Sequence, residues 1–349
     1  MTKPKVLLVT PAFPSFVRQD MLLLLERYEL IVNTYHWTNK ANAPIYLLAQ
    51  FFHILFNIQK VNFILVHFGG YWSFFPSLLG RIFGKPVYIV LHGTDTAAIP
   101  ALNYGSLRIP LLKWFCKKSY KWATLLLPVS ESLAYTENSF LKKNEIIQNG
   151  FLYHFPELRT PYQVIPNGFD FGFWNISAKY NKEPGSFLAV LAASQYILKG
   201  GDLILELAKR LDSCTFYIAG MDKPEGLDSP KNVRFLGHIS ADKLKNYYQR
   251  TSFYFQLSAF EGFGCALCEA MLCGCIPIVS QVNSLPEIVG NHGIILPHRD
   301  INLLEKLVLS RLNEVVTQDE KQAVRVRIME NYSKQNRKAS LFGILPYPI

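Results

Sequence analysis

Residues 258–280 read SAFEGFGCALCEAMLCGCIPIVS. A carboxylate, Glu261, stands in a glycine-flanked loop, and a second, Glu269, falls about one turn into a helix beginning near Cys265. The C-G-C-I-P-I-V-S run that follows is small and apolar, as a turn feeding a buried parallel strand should be. Loop, helix, turn and strand make one period of an α/β repeat, and the flanking sequence continues it. Upstream lie FLAVLAA (187–193), DLILELAKRL (202–211), TFYIAG (215–220), NVRFLG (232–237), ADKLKNYYQR (241–250) and SFYFQLS (252–258). Downstream lie SLPEIVG (284–290) and GIILP (293–297). Strands alternating with helices predict a doubly wound parallel sheet.

The first half repeats the pattern. Val6–Thr10 is a buried strand halted by Pro11, and PAFPSFVRQD forms the loop at its carboxyl end. That loop lacks G-x-G-x-x-G, so hydride chemistry has no support. A helix is expected from Asp20, then a strand in LIVNTYH. Phe63–Phe68, Ser77–Phe83 and Val87–Leu91 read as strand, helix and strand, which leaves His92 and Asp95 at a carboxyl edge. A histidine there suits a general base or a sugar contact, and equally a strand end satisfied by backbone. Leu125–Val129 is a further strand, followed by a helix cap at Ser130-Glu131-Ser132. Pro166, Asn167, Gly168 and Gly172 interrupt the pattern, so the domains are expected at 1–163 and 164–327. Two such domains leave a cleft between them, the default place for a ligand.

Half of the 349 residues are hydrophobic, enough for two cores. The most apolar stretch, 45–58, is too short to span a bilayer and carries Gln50, His53 and Asn57, so it is expected to be a buried core helix. No secretory leader is read at the start, which points to the cytoplasm, or to its membrane face as a peripheral protein. Net charge is +10, divided as +8 over residues 1–165, −3 over 166–320 and +5 over 321–349. A basic front half suits an anionic membrane surface. No recognition module accompanies it, so nucleic acid is not expected as a partner. On 111–122 (LLKWFCKKSYKW), Lys113, Lys117 and Lys121 share one face, fitting an anionic bilayer or an ordinary surface helix equally well. Four of the six cysteines form C-x2-C-x4-C-x-C within 265–275, too compressed for a zinc site, and they read as small buried hydrophobes.

Gly262 and Gly264 allow close backbone approach, and a helix starting at Cys265 directs free N–H groups outward, which makes an anion site suited to a diphosphate. Glu261 and Glu269 are separated along such a ligand rather than paired on one bond, so hydrolysis is the less natural chemistry. Lys199, in the loop before the second domain's first helix, supplies a countercharge for a leaving diphosphate.

VIPNGFD (164–170), LKGGDL (198–203), YIAG (217–220), NVRFLG (232–237) and FEGFGCALCEAMLCGCIPIVS (260–280) together resemble the family 4 glycosyltransferases of GT-B fold over nearly the whole chain. The resemblance implies two Rossmann-like domains facing a cleft, and a closing helix, about 328–349, that returns to the first. It implies sugar transfer from a UDP- or GDP-sugar with retention of configuration, needing no cofactor and no metal. By it Glu261 meets the donor sugar, Glu269 the ribose and Lys199 the diphosphate. The backbone of Gly262, Phe263, Gly264 and Cys265 cradles sugar and phosphate, Gly237 and His238 lie near the base, and His92 lies near the transferred sugar. Phe13, Arg18 and Asp95 fall on the acceptor side.

Two departures stand out. Ser194 occupies the place of an arginine that usually shares the diphosphate, for which Arg18 and Arg234 are possible substitutes. The usual glycine-rich first loop is PAFPSF instead. That loop normally faces the acceptor, so acceptor identity does not carry over. The expected partners are a nucleotide-sugar and a glycan acceptor, read as lipid-linked and part of cell-surface polysaccharide synthesis from the basic first half and the 111–122 helix. Ser194 also motivates an alternative, a non-catalytic nucleotide-sugar-binding scaffold subunit.

Overall fold

In the computed structural model, which describes residues 3–347, the chain divides into two units: 1–136 with 148–168 and 335–349, and 137–147 with 169–334. The first contains β1 (Lys5–Val9), α1 (Ser15–Leu25), β2 (Glu29–Asn33), α2 (Ala43–Asn57), β3 (Phe63–His67), α3 (Tyr71–Ile82), β4 (Val87–Leu91), α4 (Pro110–Trp122) and β5 (Leu125–Pro128). Two short strands, β6 (Thr136–Asn138) and β7 (Ile147–Asn149), and a single-turn α5 (Phe151–His154) follow. The main sheet is parallel throughout, in the order β2-β1-β3-β4-β5. β3 and β4 are buried along their whole length, as β-branched and aromatic runs covered on both faces must be.

The second unit contains β8 (Glu183–Val190), α6 (Gly201–Arg210), β9 (Thr215–Ala219), β10 (Val233–Phe235), α7 (Ala241–Arg250), β11 (Thr251–Gln256), α8 (Cys265–Leu272), β12 (Ile276–Ser280), α9 (Leu285–Val289), β13 (Ile294–Leu296), α10 (Ile301–Leu312) and α11 (Gln318–Asn331). Its sheet is also parallel, ordered β10-β9-β8-β11-β12-β13. In the first sheet the winding reverses between β1 and β3, in the second between β8 and β11. Those reversals open crevices at the carboxyl ends of the strands. Phe187, Phe216, Phe253 and Phe255 stack on one face of the second sheet, with Phe187 4.9–5.0 Å from each of the other three.

The turn in C-G-C has a definite cause. Gly274 sits at φ +76°; its N–H bonds to Met271 O and that of Cys275 to Ala270 O, which is the Schellman pattern that ends a helix. Arg325 of α11 adds a bond to Leu272 O, so α8 finishes on a satisfied carbonyl.

Four expectations need correction. The loop expected over 11–20 ends at Pro14, because α1 starts at Ser15 rather than at Asp20. The helix expected over 77–83 begins at Tyr71 and runs through Pro76. Proline withholds the hydrogen bond owed to Trp72 O, and the amide of buried Gln50 takes that carbonyl at 3.1 Å while also reaching Asn33 Oδ1 at 2.9 Å. The cap at 130–132 leads only into a single 3₁₀ turn. The helix expected to be buried, α2, is largely open: Gln50 and Ile54 are its buried residues, whereas Ile45, Leu48, Phe52 and Phe56 are 45–69 % exposed.

The closing helix α12 (Lys334–Ile344) joins the first unit from Gln335 onward. Arg337, 3 % exposed, meets both oxygens of the fully buried Asp20 on α1 at 2.5 and 2.6 Å and donates to Ile165 O and Pro166 O. Around it, Arg27 lies over the Phe342 ring at 4.8 Å and Lys338 pairs with Glu26. Removing one member of such a pair strands a buried charge. Arg337→Ala is therefore expected to lower stability by about 3–5 kcal/mol in urea unfolding, against changes within about 0.5 kcal/mol for an exposed control such as Lys179→Ala.

Candidate functional site

Two loops meet at the crevice of the second unit. The loop after β8 carries Lys199 and the loop after β11 carries Glu261, and Ala259 N–H to Leu198 O (2.7 Å) holds them together. Gly200, at φ +75°, makes this approach possible, since a Cβ there would lie 2.6 Å from Leu257 O. Lys199 Nζ reaches Glu261 Oε2 at 2.5 Å, with both side chains largely covered (18 % and 13 % exposed). Gln256 Nε2 (2.7 Å) and Ser258 Oγ (3.2 Å) donate to that same oxygen, Tyr254 OH braces Gln256, and Asn283 Oδ1 accepts the Glu261 N–H. Three donors thus converge on Oε2, and none of them engages Oε1.

Gly264, at φ +105°, opens α8, and Cys265 is its first residue. The Phe263 ring is packed away at 5.2 Å from Tyr332 and 6.3 Å from Phe169, so this residue presents backbone to the crevice. Its carbonyl accepts from Ser284 Oγ. Glu269 lies on α8, where burial pushes its carboxyl up to about 8, offset in part by the Tyr248 hydroxyl. Gly237, at φ +64°, exchanges backbone bonds with Gly220 and Met221 at the end of β9, and exposed His238 follows it. Ser194 is exposed in the turn before Lys199. Arg234 does not replace the missing arginine beside it. The register sets Arg234 midway along the edge strand β10, opposite Tyr217 and short of the carboxyl end, and it packs over the Tyr217 ring.

The cysteines Cys268, Cys273 and Cys275 are buried, and Cys275 contacts Lys182 Nζ at 3.4 Å. Burial raises all three thiols, Cys273 to about 12, so they pack as neutral hydrophobes.

In the first unit, His92 Nε2 lies 3.0 Å from His67 Nδ1, and Phe16 and Phe68 flank the His92 ring at 4.6 and 4.4 Å. Behind His67 come Asp20 (3.8 Å) and then Arg337. Burial holds His67 near 4 and His92 well below the usual histidine range, so both imidazoles are neutral. Phe68 is held at φ +63°, a strained setting for a bulky residue, and its strand-end neighbour His67 is fully buried.

A cavity of about 540 Å³ opens here, lined by Phe13, Phe68, Trp72 and Asp95 among others. Asp95 accepts the N–H groups of Gly69, His92 and Gly93, tying the β3 and β4 loops together; burial raises its carboxyl to about 6. Arg18 is exposed, with its guanidinium on Phe13 O.

Gln256, Ser258, Tyr254, Asn283, His67, Asp20 and Arg337 were not singled out from sequence. Two signals were available. Tyr254 and Gln256 alternate along β11 and so share a face, and Ser258 keeps the same spacing just beyond it. FILVH and VYIVLH are adjacent strands of one sheet that both end in histidine.

Residues 172–327 match the family model of the glycosyl transferases group 1. The O-antigen chain mannosyltransferase B of Escherichia coli is 33 % identical over 82 residues, 24 % of this chain and 22 % of that protein. The phosphatidylinositol N-acetylglucosaminyltransferase GPI3 subunit of Saccharomyces cerevisiae is 25 % identical over 128 residues, 33 % of this chain and 28 % of that one. The chain thus matches about a quarter of the length of these relatives. Among solved structures, sucrose-phosphate synthase of Thermosynechococcus elongatus superposes with TM-score 0.75 at 12 % identity over 98 % of both chains. Anabaena Alr3699/HepE in complex with UDP and glucose superposes with TM-score 0.69 at 13 % identity, covering 97 % of this chain and 98 % of that one. The fold is accordingly GT-B, two parallel-sheet Rossmann-like units.

The raised Glu269 carboxyl has a stability consequence. The folded chain keeps a proton that the unfolded chain releases above about 4.5, so stability falls as pH rises from there through about 8. Glu269→Gln should therefore resist urea better than the parent protein at about pH 9, with the gap closing by about pH 5, in parallel unfolding curves.

Proposed function

We propose that the chain is a retaining, metal-independent glycosyltransferase that moves a hexosyl group from a UDP- or GDP-sugar to a glycan acceptor. The observation that carries this is the Lys199–Glu261 pair at the β8/β11 reversal, inside the segment that matches the glycosyl transferases group 1. In this reading the donor diphosphate takes the Lys199 ammonium and the N–H groups that open α8. Glu261, oriented through Oε2, offers Oε1 to a sugar hydroxyl, and Glu269 meets the ribose. Gly237 and His238 border the base. The bond from the anomeric carbon to the leaving phosphate oxygen breaks with both electrons on the diphosphate. The acceptor hydroxyl oxygen bonds to the same face of that carbon, and its proton passes to the leaving phosphate oxygen.

The acceptor is assigned to the first unit, in the cavity of Phe13, Phe68 and Trp72, with His92 toward the transferred sugar. Its neutral imidazole can donate or accept a hydrogen bond without adding charge. We read the acceptor as a lipid-linked glycan of polysaccharide synthesis at the cytoplasmic membrane face. That reading is supported by the basic first unit and by the relatives, one named for an O-antigen chain and the other for phosphatidylinositol.

The alternative, a nucleotide-sugar-binding scaffold, is motivated by exposed Ser194 in place of a second cation. Turnover of UDP- and GDP-sugars separates the two. Lys199→Ala should lower kcat by about 10²–10³, the usual loss on removing one preorganised donor to developing negative charge. Donor binding without turnover above Glu261→Ala, for every sugar tried, overturns the catalytic reading. An inverted product anomer by NMR overturns retention.

A further inference from the structure

α2 is the anomaly of the first unit. Ile45, Leu48, Phe52 and Phe56 recur at spacings of three and four, so they share one helical face, and that face is exposed. An apolar stripe left open on a surface marks a docking site. It continues sideways through touching rings: Phe56 on Phe52, Phe52 on Phe51, Phe51 on Phe75, Phe75 on Phe74, and Phe74 stacked on half-exposed Trp114 of α4. Lys118 lies over the Trp114 and Trp122 rings at 5.8 and 6.0 Å, so the aromatic path ends at an ammonium. There a pocket of about 730 Å³ is lined by Lys117, Lys118, Lys121 and Arg159, with Glu157 as its carboxylate, paired to Lys117. Among the described residues, Lys118 and Lys121 form no ion pair.

Charge identifies the occupant. Between Glu29 and Glu131 the sequence holds nine lysines and arginines and a single carboxylate, Asp95, which is 1 % exposed. That stretch therefore shows solvent almost no negative charge. A protein partner would have to match an apolar ridge and a cationic border together, whereas an anionic bilayer presents acyl chains and phosphates in that order. Among the described residues no helix is long and apolar enough to cross a membrane, so contact through α2 would be in-plane.

We propose that the α2 face inserts at the surface of an anionic bilayer, with Phe52 and Phe56 among the acyl chains and the lysines of α4 on lipid phosphates. The inference deepens the lipid-linked acceptor assigned above and rests on that reading, but its readout is vesicle binding, which needs no turnover.

The test is co-sedimentation with vesicles of phosphatidylcholine alone or mixed with phosphatidylglycerol, in low and high salt, with melting curves to confirm that each variant folds. The parent chain should prefer the anionic vesicles and lose most of that preference in high salt. Phe52→Glu combined with Phe56→Glu should abolish binding to both vesicle types. Lys117→Ala, Lys118→Ala and Lys121→Ala together should weaken anionic binding by about 100-fold, at about fivefold per cation. Equal binding to neutral and anionic vesicles, or ridge variants that bind like the parent, overturns the proposal. So does a chain that ignores vesicles but self-associates until the ridge is mutated, since the face is then a protein interface. Lost vesicle binding with transfer to a soluble acceptor intact refutes the surface alone. Vesicle binding without donor turnover supports the surface and refutes the catalytic reading.

Discussion

A parallel sheet covered on both faces by helices has no place in its interior for polar chemistry. Ligand-facing polar groups are presented at the carboxyl edge, where a gap opens as the winding reverses. Both units obey this constraint. In the second, β8 and β11 are paired neighbours at the reversal, so the loops that follow them leave the same edge, and Gly200 lets one backbone pass within van der Waals reach of the other. The ion pair of Lys199 and Glu261 is the local consequence: two loops far apart in sequence present opposite charges to one crevice.

The two crevices are furnished differently. In the second unit one carboxylate oxygen gathers an ammonium, an amide and a hydroxyl, so orientation of Glu261 is fixed by buried Gln256 and Ser258 together with the largely covered Lys199. In the first, Arg337 and Asp20 neutralise each other behind a pair of uncharged imidazoles, and the cavity wall combines the rings of Phe13, Phe68 and Trp72 with the Asp95 carboxyl, which is taken up by three backbone N–H groups. The second crevice therefore gathers its polar groups around one carboxylate, whereas the first sets aromatic rings beside a carboxyl held by backbone.

Much of this was visible in the residues. Runs such as FILVH and VYIVL, punctuated by Gly-Lys-Pro, can only be buried parallel strands, and the alternation was read in both halves. The α/β class follows from that periodicity alone. What escaped detection has physical reasons. Whether an apolar helix is core or surface depends on what covers it, so the pattern of α2 could not reveal its open face. The passage of α3 through Pro76 depends on a glutamine from another helix. Asp20 and Arg337 carry no local signal of each other. Helices α10 and α11 went unremarked because their polar faces resemble ordinary connecting sequence. At the crevice, Lys199 and Glu261 were singled out by residue type and spacing, whereas Gln256 and Ser258, which aim Glu261, were passed over as strand residues.

The partners Asp20 and Arg337 stand 317 positions apart along the chain. A ribosome adding about 5–20 residues per second exposes the acid roughly 15–60 s before the base. Through that interval α1 holds a carboxylate with no guanidinium to meet it, and by its end every residue of the second unit's sheet has emerged. Vectorial synthesis therefore favours completing the later-encoded sheet first. The half that begins the chain is finished last, when its final helix arrives.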